Sequence, residues 1–181
     1  MTAKSHVTTS FAVGAMTPLL YNHEWLHTTA FLYYAVGIVI GALLPDIDEE
    51  HSYIGRRLFF IAAPLNDLIG HRTLTHNLFL YIPLLIYGYY WHSYISLGIG
   101  IGAMLHVLED SATNSGANWA LRPILYKFAL LPRALRFSTN GVFENFVYLP
   151  IVTIIVILEA IYVGVPMLSM LAHLHLFRIL R

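Results

Sequence analysis

Gly70-His71-Arg72-Thr73-Leu74-Thr75-His76-Asn77 packs two histidines, an arginine and two threonines into one short stretch, and an apolar run opens immediately behind it. Two further polar knots have the same setting. Pro45-Asp46-Ile47-Asp48 closes one apolar run, and His106-Val-Leu-Glu-Asp110 closes another. Our reading is that the three knots meet in space and hold metal.

The rest of the chain supports a membrane setting for them. Of its 181 residues 57% are hydrophobic and 11% charged, with mean hydropathy +0.65, which is too apolar for a soluble domain of this length. The formal net charge is zero, so no global field favours nucleic acid, and no nucleic-acid partner is expected. With no cysteine there are no disulfides, thiolate metal sites or Cys nucleophiles. The ten histidines equal all Lys plus Arg, and imidazole is both a metal ligand and a near-neutral acid/base. Interfacial decoration accounts for part of them.

Apolar runs at 7–21, 28–44, 74–91, 95–108 and 142–163 predict an all-α, polytopic membrane helical bundle of about five transmembrane helices in a single domain, 1–181. The amphipathic stretches 49–70 and 111–141 predict interfacial helices. Lys4 ahead of the first run resembles a signal peptide, but Pro18 and the bulky Leu19-Leu20-Tyr21 offer no small-residue cleavage site. Gly98, Gly100 and Gly102 permit close helix contact. Lys4, Arg56, Arg57, Arg72 and the basic residues of 111–141 fall on one side of five spans, which the positive-inside rule makes cytoplasmic. His6, Asp46, Asp48, His71, His76, His106, Asp110 and Glu144 fall on that same side. Scattered polar residues would have no reason to choose it every time.

His106 and Asp110, four apart, lie about 40° apart on one helix face, the arrangement by which one helix offers two ligands to one ion. Asp46-x-Asp48 is more ordinarily a solvated helix end with Pro45 as its stop. His71 and His76 are five apart, so His71 is expected in the loop and Thr73 or Thr75 at the helix cap. Arg72 suits either a membrane anchor or a phosphate clamp. Imidazoles and carboxylates without thiolates suit Zn2+, Mn2+ or Fe2+, with ligands enough for two ions sharing a carboxylate. The competing reading is a set of helix caps and interfacial hydrogen bonds.

The pattern His6, Pro45-Asp46-x-Asp48, Gly70-His71-Arg72-x-x-Thr75-His76-Asn77 and His106-x-x-x-Asp110-x-x-Thr113-x-x-Gly116 resembles the YdjM family, with Asn77 where Ser is more usual. The resemblance covers residues 1 to about 146. It implies a LexA-binding, inner-membrane-associated metal-dependent hydrolase, with His6, Asp46, Asp48, His71, His76, His106 and Asp110 as the ligand set. A fainter similarity of order and spacing links the chain to zinc-dependent phospholipase C, whose next helical pair is His-x-x-x-Glu where this chain has Asn140 and Glu144. That departure puts a third metal in doubt.

The expected activity is hydrolysis of a phosphoester or pyrophosphate on a lipid or lipid-linked substrate at the cytoplasmic interface. Asp110 is expected to bridge two ions, Glu144 or Asp48 to act as general base, and Arg72 to bind phosphate oxygens. The rival is a membrane-anchored regulator with a structural metal and a LexA-like protein partner. An ion transporter ranks below both, because the ionisable groups cluster at one end, Glu159 excepted.

Overall fold

A computed structural model describes residues 1–21, 29–69, 74–117, 129–133 and 136–162, and among them the regular structure is helical apart from one isolated bridge, Thr113 to Phe137. The helices are α1 (Ala3–Tyr21), α2 (Thr29–Leu43), α3 (Phe59–Ile69), α4 (Ile82–Tyr90), α5 (Tyr94–Ser111) and α6 (Glu144–Tyr162). Pro45 at the start of the 3-10 turn Leu44–Asp48 stops the α-helical pattern of α2, since it carries no amide hydrogen. A second 3-10 turn, Leu78–Tyr81, leads into α4, and α6 opens with the π-helical segment Glu144–Tyr148.

The pairing of α2 with α5 follows from four glycines. A Cβ at Gly37 or Gly41 would fall on the Ile95 or Ile99 carbonyl oxygen of α5, and one at Gly98 or Gly102 on the Tyr34 or Ile38 carbonyl of α2. Spacing by four puts each pair on one helix face, so the two backbones lie in contact along two turns. Gly100 points away from this contact, against Leu85 of α4, and Gly88 of α4 makes room for Leu97. Thus the glycine-rich stretch of α5 serves two neighbours. Helix α1 joins through Gly14, packed on Ile38, and through the Tyr34 hydroxyl, which donates to the Gly14 carbonyl at 3.0 Å.

The result is a core of unusual composition. Among the buried residues most apolar side chains are small, whereas the largest wholly buried ones include His6, Asp48, His76, His106, Asp110 and Glu144. Large apolar groups face outward instead. Helix α6 exposes Phe146, Ile151, Ile154, Leu158 and Ile161, and α3 exposes Phe59, Phe60 and Leu68. Apolar surface on this scale suits lipid rather than water. Tyr87, Tyr89, Tyr90 and Trp91 are exposed at the α4–α5 turn, an aromatic cluster of the kind found at membrane boundaries.

Helices stand at all of the expected spans, but among the described residues two are long and apolar enough to cross a bilayer: Thr29–Asp48 and Glu144–Tyr162. The expected span at 74–91 starts later. Its cap is Asn77 rather than Thr75, and Thr73 lies outside the described residues. The Asn77 side-chain oxygen accepts from Phe79 N at 2.9 Å, because the short amide reaches the second free N–H of the turn, while the Thr75 hydroxyl is drawn to Asp48. The expected segment at 118–128 and the tail beyond 162 also lie outside the described residues.

The glycine contact is testable. Gly41→Ala and Gly102→Ala each press a methyl group on backbone, an overpacking of about 1–3 kcal/mol that should lower the melting temperature in detergent by about 3–10 °C. Gly100→Ala meets only the flexible Leu85 side chain and should shift it less. Equal melting of the three variants would contradict the packing.

Candidate metal centre

Helix α5 carries His106, Glu109 and Asp110 in its last two turns, and the contact with α2 brings the Ala42 carbonyl onto His106 Nδ1 at 2.6 Å. A carbonyl can only accept, so Nδ1 holds a proton and Nε2 is the ring atom left to face the neighbouring groups and to ligate. Among the described residues that Nε2 is buried without a hydrogen-bond partner. In an ordinary core this would cost about 1–3 kcal/mol.

What surrounds this atom explains it. Asp46 Oδ1, delivered by the tight turn after Pro45, lies 3.6 Å from His106 Nε2, and Asp110 Oδ2 lies 4.0 Å away. His76 Nε2 lies 3.8 Å from Asp46 Oδ1 and 3.5 Å from Asp110 Oδ2. Four potential ligand atoms from three segments therefore converge. Bonds of about 2.0–2.2 Å in a tetrahedral zinc site put neighbouring ligand atoms about 3.3–3.6 Å apart, close to the observed spacing. His2Asp2 donors without sulfur fit zinc, and also manganese or iron(II).

His6 of α1 extends the cluster. Its ring stacks on His106 with centroids 3.6 Å apart, and its Nε2 is 3.2 Å from Asp110 Oδ1. The two oxygens of Asp110 thus serve different histidines, Oδ1 toward His6 and Oδ2 toward His76 and His106. The Met1 ammonium also donates to Asp110 Oδ1, at 2.6 Å. Two triads lie close enough to hold an ion, His6 with His106 and Asp110, and Asp46 with His76 and His106. Burial lowers the His76 imidazole below its ordinary pKa, with Asp110 opposing, which keeps the ring neutral and able to ligate.

The sequence reading passed over Glu109. Its Oε2 lies 2.7 Å from His6 Nδ1 and its Oε1 accepts from Ser10 at 3.1 Å. A carboxylate there holds the Nδ1 proton and directs His6 Nε2 toward Asp110, as in carboxylate–histidine–metal relays. The signal was present, since Glu109 is three residues after His106 and shares its helix face.

The other expected residues have distinct positions. Asp48 is buried beside the cluster but belongs to neither triad; its Oδ2 accepts from the Thr75 hydroxyl, itself 3.2 Å from His76 Nδ1, so it helps to fix the loop carrying His76. Tyr81 fastens the same loop through the Thr75 carbonyl. The two oxygens of Glu144 accept backbone amides, Thr2 N and Asn140 N, each at 2.7 Å. His71 and Arg72 lie outside the described residues. Thr113 donates to the Asp110 carbonyl at 2.7 Å, and Gly116 supplies a left-handed turn at φ 66°. The motif after Asp110 is therefore a helix terminator that fixes the ligand's backbone.

Comparison with known proteins agrees with the motifs. The family model described as YdjM inner membrane protein matches residues 1–177. The inner membrane protein YdjM of Escherichia coli K12 is 30% identical over 143 residues, 72% of this chain and 69% of that protein, and its Shigella flexneri counterpart matches equally. The uncharacterized protein YvsG of Bacillus subtilis is 34% identical over 118 residues, 64% of this chain and 70% of that protein. No solved structure matches.

His106→Ala and Asp110→Asn should abolish divalent metal binding by purified protein, whereas His92→Ala, in the exposed α4–α5 turn, should not. Glu109→Ala should weaken zinc affinity by about 10–100-fold, with partial recovery in Glu109→Gln, which keeps an acceptor oxygen. Competition titration with a zinc chelator measures both. Unchanged affinity in all of these variants would remove the site.

Proposed function

We propose, for a chain that belongs to the YdjM family of inner membrane proteins, that it is a multi-pass, metal-dependent hydrolase of the inner membrane. About five helices cross the bilayer in this reading, with the metal centre at the cytoplasmic face. Its substrate is a lipid or lipid-linked phosphoester or pyrophosphate. The observation that carries the proposal is the pair of Asp110 oxygens turned toward different histidines, the disposition a carboxylate needs to bridge two ions.

Bound divalent ions would supply Lewis acidity and a hydroxide nucleophile at neutral pH. The chain's own residues do the rest. His76 and His106 with Asp46 form one pole, and His6 with Glu109 behind it forms the other. Both carboxylates considered as base are engaged, Glu144 by two backbone amides and Asp48 by the Thr75 hydroxyl; Asp48, buried beside the cluster, takes that role in this reading. Arg72, four residues before His76 in the sequence, is assigned to the phosphate oxygens because its planar fork matches them. The position at helix ends favours a substrate that itself resides at the interface.

One observation favours a second reading. Asp46, His76, His106 and Asp110 together provide enough atoms to saturate a tetrahedral ion, as structural sites do. In that case the protein is a membrane-anchored regulator docking a LexA-like partner.

Metal-replete protein should release phosphate or a head group from a phospholipid or lipid pyrophosphate in detergent. Chelator should abolish this, Zn2+ or Mn2+ restore it, and Asp110→Asn remove it. Tight partner binding with no cleavage of phospholipid, lipid pyrophosphate or soluble phosphodiester would transfer the case to the regulator. For topology, Glu50→Cys should be labelled only from the cytoplasmic side and His92→Cys only from outside. The reverse pattern would overturn the orientation.

A further inference from the structure

An apolar groove of about 600 Å3 runs between α1, α2 and α6. Val7, Val39, Leu43 and Leu149 form its walls, and Tyr53 from the loop after α2 stands at its edge. The volume falls within the range of about 300–1,000 Å3 common to small-molecule sites. Its hydroxyls are turned inward on their own helices: Thr8 donates to the Lys4 carbonyl at 2.8 Å and Thr153 to the Leu149 carbonyl at 2.7 Å. The walls therefore present hydrocarbon to any occupant.

The mouth has the opposite character. Lys4 lines it, is exposed, and among the described residues pairs with no carboxylate. The Arg57 guanidinium lies 3.8 Å over the Tyr53 ring and bonds the Tyr53 carbonyl at 2.8 Å, likewise without a carboxylate among the described residues. A cation in the groove's lining, Lys4, and a second, Arg57, stacked on the lining Tyr53 complement an anionic amphiphile. Neither a neutral lipid nor a soluble anion uses both features.

We propose that this groove binds one acyl chain of an anionic glycerophospholipid whose phosphate rests at Lys4 and Arg57. The groove opens at the end of the bundle that holds the ligands: Val7 follows His6, Leu43 precedes Asp46 by three residues, and Leu149 follows Glu144 by five. A phospholipid held here has its head group beside the metal centre. Binding at the groove stands whether or not that centre hydrolyses the lipid.

The test is native mass spectrometry of the full-length chain, chelated to prevent turnover, after exchange into mixed phosphatidylglycerol–phosphatidylcholine vesicles. One phosphatidylglycerol per chain should be retained in preference to phosphatidylcholine. Lys4→Gln with Arg57→Gln should reduce that retention by about fivefold for each charge removed. Val39→Phe, which fills the groove, should reduce retention without altering the mouth. His106→Ala should keep the lipid while losing metal, which separates this site from the hydrolase reading. Equal retention of the two lipids, or undiminished phosphatidylglycerol in the charge and groove variants, overturns the proposal. Displacement by millimolar inorganic phosphate alone would also overturn it, by showing an anion site that needs no acyl chain.

Discussion

Backbone contact between α2 and α5 is the constraint on which the rest depends. Gly37 and Gly41 against Gly98 and Gly102 let the two helices approach without intervening side chains. In a bilayer, where helices gain little from burying apolar surface, such contact is a principal source of association. It also sets register. Because Gly102 lies against the Ile38 carbonyl, the next turn brings His106 against the Ala42 carbonyl, and the turn after α2 then sets Asp46 Oδ1 3.6 Å from His106 Nε2. The cluster of candidate metal ligands is the continuation of the glycine contact beyond the end of α2.

The cluster then poses an electrostatic problem that a cation resolves. His106 Nε2 is turned toward the neighbouring groups by the Ala42 contact, and carboxylate oxygens lie on two sides of it. Acceptors facing one another at 3.5–4.0 Å in a buried site repel unless positive charge lies between them. Glu109 behind His6 and Thr75 beside His76 hold rings in place from outside the cluster. The Met1 ammonium supplies part of the positive charge on the Asp110 Oδ1 side.

Chemistry at the end of a helical bundle differs from chemistry in its middle. Ionisable groups gathered at helix ends leave the outward faces of the helices free to be apolar, as that of α6 is. Glu159 stands apart, with both carboxylate oxygens buried on α6 and, among the described residues, no hydrogen-bond partner for either.

The sequence by itself determined that the chain is helical and apolar and that its ionisable residues gather at helix ends. Hydropathy and periodicity are local properties, readable residue by residue. The pairing of His106 with Asp110, and the use of glycines for close contact, were legible for the same reason, since both follow from helical spacing. The YdjM motifs likewise gave His6, Asp46 and His76, which the fold brings together with that pair. Only the tertiary structure decided that Glu109 orients His6 across a separation of 103 residues, and that Glu144 is engaged by the amides of Thr2 and Asn140. It likewise decided that Thr75 serves Asp48 while Asn77 caps the turn. Those assignments depend on which helix faces meet at which height. That is fixed by backbone contacts between segments far apart in the chain, and no local pattern encodes it.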